Sequence, residues 1–324
     1  VKTSQGRIYR INPVKITQVK TLQATHPGQN QRPLQVIVGV IKNASGQVLI
    51  TLRDKSLHQG GLWEFPGGKI EAEESAEQAL VRELKEELDI IVQAATPLIS
   101  IHHDYPDLTV QLHVFSVEMY SGSAKGCEGQ PIKWVEADDL FNYAFPAANQ
   151  PIITAARLPP FYAILDDADP AVLLVNLETI LNKGIKLIQA RLKNLSVAAV
   201  ELFLEHAYPL CKSQNAWMLL NSSVNNSDSF EVDGVHLTSA DLLACNQRPE
   251  NKQWVAASCH NIEELQHAQK IGVDFVVLAP VLPTPTHPDA KVLGWDQFAE
   301  LVAQVNLPVY ALGGLSKADL LTAQ

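Results

Sequence analysis

Three glutamates, Glu83, Glu86 and Glu87, stand at relative positions i, i+3 and i+4 in the run Arg82-Glu83-Leu84-Lys85-Glu86-Glu87. On an α-helix this spacing projects all three carboxylates from one face. Like charges so close repel unless a cation neutralises them, and hard oxygen ligands on a rigid element suit Mg2+ or Mn2+. A divalent ion held there can bridge protein and substrate phosphates and activate a water, which points to phosphate hydrolysis. For a bare Glu-Glu pair the plain alternative is a solvated acidic helix face. The full spacing argues against it.

The element that must carry these carboxylates is a helix over about 75–88, because Ala76, Ala79, Leu80, Leu84 and Leu88 recur at helical spacing. Ser75 and Gln78 form a capping box that marks its start. Ahead of it runs Gly67-Gly68-Lys69-Ile70-Glu71-Ala72-Glu73-Glu74. The two glycines permit a tight turn, and Glu74 is placed to pair with Arg82 and hold the loop on the helix. Val36, Val38 and Val40 alternate, residues 43–46 make a turn, and 48–52 resume a strand, which together read as a hairpin opening a domain. Strand-like runs follow at 109–118 and 132–135, then a short helix near 150–157 that Leu158-Pro159-Pro160 brings to an end. The domain boundary falls there. Residues 1–33 are polar without sustained period and read as an extension with no assigned function.

Beyond the boundary, apolar runs at 162–165, 187–192, 217–221, 234–237, 255–258, 275–279 and 309–312 alternate with helical segments, the last helix falling at 317–324. Such alternation implies a parallel sheet in an α/β fold, and seven strands suggest a (βα)8 barrel without its last strand.

The bulk numbers narrow the partners. A chain of 324 residues with 46% hydrophobic content is long enough for two domains with their own cores. A net charge of −10 argues against general attraction to nucleic acid or an anionic membrane, so phosphate chemistry must rely on metal or local basic groups. Cys127, Cys211, Cys245 and Cys259 make neither a disulfide framework nor a zinc pattern. No run approaches the ~18 apolar residues of a membrane span, and 1–33 lack the apolar core of a secretory signal. A cytoplasmic protein is expected.

The acidic run resembles the Nudix box, Gly-x5-Glu-x7-Arg-Glu-apolar-x-Glu-Glu-x-Gly-apolar, at Gly68, Glu74, Arg82, Glu83, Leu84, Glu86, Glu87 and Ile90. Asp89 replaces the second glycine, and Asp tolerates the left-handed backbone that ends helices. Over about 34–158 the chain is most similar to MutT-type 8-oxo-dGTP diphosphatases, through Phe65-Pro66-Gly67-Gly68-Lys69-Ile70-Glu71, Glu128-Gly129-Gln130-Pro131 and Phe145-Pro146-Ala147-Ala148-Asn149. The resemblance implies an α/β/α sandwich with a mixed sheet that hydrolyses a nucleoside triphosphate to monophosphate and pyrophosphate with Mg2+, or possible Mn2+. It implies metal at Gly67, Glu83, Glu86, Glu87 and Glu128, with these glutamates catalytic, substrate contacts from Arg53, Phe65, Gly68, Lys69 and Asn149, and structural roles for Gly68, Glu74 and Arg82. An amide at Asn149 offers donor and acceptor together, suited to an oxidised purine edge; a helix N-cap is the alternative. Arg53 contacts phosphate or base, or is an exposed strand arginine. Leu108 stands where that family often has arginine.

Residues 161–324 resemble the thiamine phosphate synthase and TenI superfamily, a TIM-barrel group, through Gln189-Ala190-Arg191-Leu192-Lys193, Asp233-Gly234-Val235-His236-Leu237, Ser258-Cys259-His260, Pro283-Thr284-Pro285-Thr286 and Gly313-Gly314. Each segment falls at the C-terminal end of an expected strand, where barrel sites are built. The resemblance implies a site for a thiazole or pyrimidine phosphate from Gln189, Arg191, Lys193, Asn221, Asp241, Ser258, His260, Thr284, Thr286, Gly313 and Gly314. The synthases hold Mg2+ with an Asn-Asp pair and a later Asp, whereas this chain has Asn221-Ser222 and keeps Asp241; His287 replaces a basic residue. Synthase activity, a TenI-like proton shuttle at His260 and a vestigial binding module all remain open for the barrel. For the first domain the rivals to 8-oxo-dGTP hydrolysis are cleavage of a thiamine-pathway pyrophosphate and a nucleotide sensor that regulates the barrel.

Overall fold

The computed structural model describes residues 7–10, 33–284, 289, 291–320 and 322. Among them, 33–157 make one compact unit, and 7–10 with 158 onward make another. Strand β1 (Arg7–Arg10) belongs to the second unit.

In the first unit two three-stranded sheets carry β2 (Leu34–Ile41), β3 (Val48–Leu52), β4 (Trp63–Glu64), β5 (Ile91–Asp104), β6 (Thr109–Ser121) and β7 (Ile132–Val135), in the orders β2-β6-β5 and β4-β3-β7. β2 runs parallel to β6, and the other pairings are antiparallel. Period-two alternation along β2 separates the faces. Ile37 and Ile41 join Leu80, Leu84 and Leu88 of α1 (Ala76–Leu88), whereas Val38 and Val40 join Ile152, Ile153 and Ala156 of α2 (Gln150–Arg157). The result is an α/β/α sandwich with a mixed sheet. A Cβ on Gly39 would lie 3.0 Å from Leu84 Cδ1, a tight approach that the leucine side chain would have to relieve.

Both ends of α1 are fixed chemically. The Ser75 side chain accepts from Gln78 N and the Gln78 side chain accepts from Ser75 N. Asp89 ends the helix at φ 56°, and Lys85 and Lys125 pair with its carboxylate. These lysines hold the carboxyl below its ordinary range. The preceding loop is laid along β2 by hydrogen bonds from Ile37 N to Gly68 O and from Gly39 N to Pro66 O, both 2.8 Å. A Cβ on Gly67, at φ 151°, would sit 2.1 Å from the Ile37 carbonyl oxygen, so this close approach requires glycine.

The second unit is a TIM-type barrel of seven parallel strands in sequential order: β8 (Phe161–Asp166), β9 (Leu187–Arg191), β10 (Trp217–Asn221), β11 (Gly234–Leu237), β12 (Trp254–Cys259), β13 (Phe275–Leu278) and β14 (Val309–Ala311). An eighth parallel strand is lacking among the described residues. Tyr162, Leu187, Leu219, Trp254, Phe275 and Tyr310 fill one cluster. Their alternates, such as Ala163, Ile188 and Met218, pack with α3 (Pro170–Asn182) and α4 (Val197–Ser213). Helices α5 (Ser239–Ala244), α6 (Ile262–Ile271) and α7 (Gly294–Val302) complete the alternation.

Four features depart from the sequence reading. β2 and β3 meet only at an isolated Lys42–Val48 bridge and belong to separate sheets, so the expected hairpin is not a strand pair. β1 lies inside the segment given no structure, pairing antiparallel with β8; four residues are too short to show a period. β5 carries no clear signal because register shifts between Val92 and Ala94, Ala94 and Ala95, and Pro97 and Ile99 break its alternation. The expected helix at 317–324 is a 3₁₀ turn, Lys317–Leu320, where the Asp319 carboxylate accepts from Ser316 N and Oγ at 2.7 and 2.8 Å; residues 321, 323 and 324 lie outside the described residues.

Leu84 is fully buried between α1 and the sheet. Leu84→Ala should cost about 2–5 kcal/mol, measured by denaturant titration with hydrogen exchange in β2 and α1 reporting the sandwich alone. A loss below about 1 kcal/mol would contradict this packing.

Candidate active site and barrel mouth

One helix turn of α1 presents Glu83, Glu86 and Glu87, and a single arginine restrains two of them. Arg82 Nη1 donates to Glu83 at 2.8 Å and to Glu86 at 3.3 Å. Its Nε and Nη2 hold Glu74 at 3.1 and 2.6 Å, and Nη2 also reaches the Lys69 carbonyl at 3.1 Å. Arg82 thus ties the glycine loop to the helix while steering the acidic face. Its hydrogen bonds hold the Glu74 carboxyl below the usual range. Gly68 lies under Glu83: a Cβ there would be 2.3 Å from the carboxylate.

Glu87 is the most strongly perturbed of the three. Burial pushes its carboxyl up to about 8, and the charges of Glu64, Glu128 and Glu83 add to the effect. The Gly67 N–H, donating to Oε2 at 3.1 Å, works in the opposite direction. Burial likewise raises Glu83 and Glu64, partly offset by Arg82 and Arg53. The segment bearing Glu128 docks on the end of the helix, with Cys127 N donating to Glu87 O at 2.9 Å and Gln130 Nε2 to the same carbonyl at 3.1 Å.

Among the described residues no group of three or more acidic, histidine or cysteine side chains is placed to hold a metal ion as it stands. Here Glu83 and Glu86 turn to Arg82 and Glu87 turns to Gly67. The donor set nonetheless fits a hard divalent cation: hard oxygens outnumber nearby cations, and desolvation has made the negative charge costly.

Arg53 is half-buried, ion-paired to Glu64, and donates Nε to His58 O at 3.1 Å. It is therefore not an exposed strand arginine. Phe65 is buried and stacks on Phe145, with centroids 5.3 Å apart. Lys69 is exposed, and Leu108 is half-buried against the core that includes Phe65. Asn149 ends a 3₁₀ turn, Ala147–Asn149, that runs directly into α2. This is helical backbone rather than the extended conformation of an N-cap. Glu64 escaped the sequence reading; its one signal was a charge between the aromatics Trp63 and Phe65.

The barrel's C-terminal strand ends are built differently. Arg191 pairs with Asp166 and the Lys193 amide donates to Asp167 at 3.1 Å. Beneath them, Asn221 Nδ2 donates to Gln189 Oε1 at 3.0 Å, Gln189 Nε2 to the Tyr162 hydroxyl at 3.3 Å, and that hydroxyl meets His236 Nδ1 at 3.0 Å. His236 Nε2 lies 2.8 Å from Ser258 Oγ. Burial, with Arg191 adding, brings the His236 pKa down to about 3, so the network holds a neutral imidazole. His260 is oriented by Nδ1 on the Ala279 carbonyl at 2.8 Å, and its amide donates to Glu264 at 2.7 Å. Gly313 and Gly314 both take positive φ, 103° and 67°, and pack against the segment after β13. Thr284 lies in that segment, whereas Thr286 and His287 fall outside the described residues.

The barrel residues do not fit the divalent cation of the synthases. Asp241 Oδ2 accepts hydroxyl hydrogen bonds from Ser222 and from Thr238, the latter at 2.7 Å. Thr238 is the N-cap of α5, and its amide donates back to Ser222 Oγ at 2.9 Å. Asn221 Oδ1 is similarly taken by the Ser223 amide at 3.1 Å. The remaining carboxylate is a satisfied member of a helix-capping cluster, with a hydroxyl where a second carboxylate would be needed.

Comparison with known proteins follows the same division. A NUDIX domain model matches residues 37–155, and a thiamine monophosphate synthase model matches 161–323. The chain is 40% identical over 126 residues to an 8-oxo-dGTP diphosphatase of Escherichia coli (strain K12), covering 39% of this chain and 98% of that protein. It is 33% identical over 122 residues to the CTP pyrophosphohydrolase of the same organism, covering 38% and 90%. Over 162 residues it is 34% identical to a putative thiamine-phosphate synthase 2 of Aquifex aeolicus (strain VF5), covering 49% and 87%. The chain belongs to the Nudix family through its first unit and to the thiamine monophosphate synthase family through its second. No helix among the described residues is long and apolar enough to cross a membrane.

Two outcomes are expected. Because the folded Glu87 pKa of about 8 lies above the ordinary 4.5 of a glutamate, the metal-free fold keeps its full stability below 4.5 and loses it progressively as pH rises from there through about 8. Glu87→Gln removes this penalty, so its metal-free melting temperature should exceed the parent's at pH 8.5 and converge with it near pH 4.5; a gap independent of pH would refute the assignment. In the barrel, Asp241→Asn should leave the number of Mn2+ ions bound unchanged, and Ser222→Asp should add one, counted by electron paramagnetic resonance. Loss of an ion in Asp241→Asn would show that the barrel does hold one.

Proposed function

We propose that the first unit hydrolyses nucleoside triphosphates, with 8-oxo-dGTP as preferred substrate, giving 8-oxo-dGMP and pyrophosphate as part of nucleotide-pool sanitation. The observation that carries this reading is the desolvated carboxylate cluster around Glu87, where Glu64, Glu83 and Glu128 all press negative charge on one buried carboxyl. Glu83, Glu86, Glu87 and Glu128, with the Gly67 backbone, would hold Mg2+ or Mn2+. Such an ion supplies charge neutralisation at the phosphates and acidifies a bound water. Arg82 bridges Glu83 and Glu86 and offsets their mutual repulsion, and one glutamate takes the proton from the attacking water. Arg53, Phe65, Gly68 and Lys69 bound the nucleotide, and the Asn149 amide reads the base edge. The Escherichia coli relatives, an 8-oxo-dGTP diphosphatase and a CTP pyrophosphohydrolase, support nucleotide pyrophosphate chemistry and leave the base as the point to decide.

For the barrel we infer a pocket for a thiazole or pyrimidine phosphate, with the phosphate on the Gly313-Gly314 amides and on Thr284, Arg191 and Lys193. The capped Asp241 speaks against cation-dependent release of a diphosphate there. His260, oriented through Nδ1, favours a proton-moving role over a synthase role.

The test is turnover with Mg2+ on a panel of 8-oxo-dGTP, dGTP, CTP and thiamine diphosphate, followed by pyrophosphate or phosphate release. The expected kcat/KM favours 8-oxo-dGTP over dGTP by roughly 10²-fold or more. Glu86→Gln with Glu87→Gln should abolish turnover. Asn149→Ala should narrow the oxidised-to-normal ratio while sparing dGTP hydrolysis; an unchanged ratio removes Asn149 from base reading. No turnover on any nucleotide would favour the sensor, and preference for the thiamine compound would move the substrate class.

A further inference from the structure

Five barrel strands each send one polar side chain into a shared network, and one backbone amide fixes the direction of every hydrogen bond in it. Tyr162, Gln189, Asn221 and His236, on β8, β9, β10 and β11, are buried. Ser258 on β12 is half-buried, two residues beyond the Ala256 that pairs with His236. The Ser223 amide, 3.1 Å from the Asn221 side chain, can only donate, so the atom facing it is Oδ1. The Ser223 hydroxyl meets the same oxygen at 2.5 Å. Asn221 therefore turns Nδ2 toward Gln189 and donates to Oε1 at 3.0 Å, which leaves Gln189 Nε2 to donate to the Tyr162 hydroxyl oxygen at 3.3 Å. That hydroxyl is wholly buried, and among the described residues its own hydrogen has one acceptor at bonding distance, His236 Nδ1 at 3.0 Å. Burial and the Arg191 charge keep the imidazole neutral, so with Nδ1 accepting, the ring hydrogen sits on Nε2. Nε2 then donates to Ser258 Oγ at 2.8 Å.

We propose that Tyr162 and His236 are positioning residues that hold Ser258 as a hydrogen-bond donor in the C-terminal part of the barrel, and that Ser258 thereby selects a heterocycle presenting an unprotonated ring nitrogen. The inference rests on the barrel reading above for its ligand, a heterocyclic phosphate. Its physical basis is that a hydroxyl has one hydrogen. With its oxygen receiving the imidazole hydrogen, Ser258 gives its own to another acceptor, and among the described residues none takes it. A ring nitrogen with a free lone pair accepts that hydrogen. A ring C–H or N–H in the same place leaves the hydroxyl desolvated and unpartnered, which costs more than the bond itself contributes. Were the imidazole hydrogen on Nδ1 instead, bare Nε2 would take the serine hydrogen and the same hydroxyl would favour a ring N–H. The choice between the two is made at Tyr162, two hydrogen bonds away from the ligand.

The test uses the whole chain and two phosphate esters of like shape: pyrimidin-5-ylmethyl phosphate, whose ring nitrogens can accept, and benzyl phosphate, whose ring carries none. Calorimetry should show the parent binding the pyrimidine ester about fivefold more tightly, as for one neutral hydrogen bond. Ser258→Ala should bring the two Kd values within twofold of each other. Nitrogen NMR of histidine-labelled parent protein, with the His236 signals identified by their loss in His236→Gln, should show hydrogen on Nε2 and a bare Nδ1. Tyr162→Phe should add the Nδ1-protonated form and narrow the preference by at least twofold. Equal binding of both esters by the parent, a preference that survives Ser258→Ala, or a parent imidazole with its hydrogen on Nδ1 overturns the proposal. If neither ester binds, the phosphate-pocket reading fails together with the selection that depends on it, whereas hydrogen found on Nε2 still upholds the donor polarity.

Discussion

Negative charge that has lost its water, and has not been given enough hydrogen-bond donors in exchange, governs the first unit. Glu87 has one amide donor, from Gly67, against three neighbouring carboxylates. The arrangement is costly, and the fold contains visible restraints against it: Arg82 spreads across Glu74, Glu83 and Glu86, and Glu64 is matched with Arg53. The geometry of the loop follows from the same constraint. Gly67 must pass close to β2 to deliver its amide, and Gly68 must lack a Cβ so that Glu83 can fold back beside Arg82. Burial of Leu80, Leu84 and Leu88 sets the rotation of the helix and therefore which face carries the acids.

Much of this could be read from residue types because the determinants are local. Helical spacing, the Ser75–Gln78 box and the alternation of β2 are each decided within a few residues, and the Asp89 cap follows from one residue's tolerance of left-handed backbone. What escaped is non-local or irregular. Glu64 is separated from Glu87 by a loop and a helix, and its burial is created by the fold. β5 was hidden by register shifts that scramble its period. The four residues of β1 acquire strand structure from β8, not from their own pattern.

The barrel presents the complementary lesson. Its alternating strands were legible as a parallel α/β array; of its candidate residues, Arg191, Asn221 and Ser258 lie in the C-terminal parts of β9, β10 and β12, Gln189 sits within β9, and Asp241 falls in α5. Chemistry was less legible, because it turns on what each polar atom is already bonded to. His236 is a neutral link between Tyr162 and Ser258, and Asn221 is held at both ends of its amide. A shared fold does not by itself establish a shared reaction.

Asp241 and Glu87 show what decides between a capping carboxylate and a ligand. Both belong to stretches in which relatives are expected to hold a cation. Asp241 Oδ2 receives two hydroxyl hydrogens in a short, closed cluster at a helix start, so a cation would have to displace bonds that are already made. Around Glu87 the imbalance runs the other way: added positive charge would relieve repulsion and replace a protonated carboxyl with a paired one. Position 222 contributes to the difference, since a serine there supplies a hydrogen that an ionised aspartate could not. The Ser222 hydroxyl thus joins Asp241 to the cluster that starts α5.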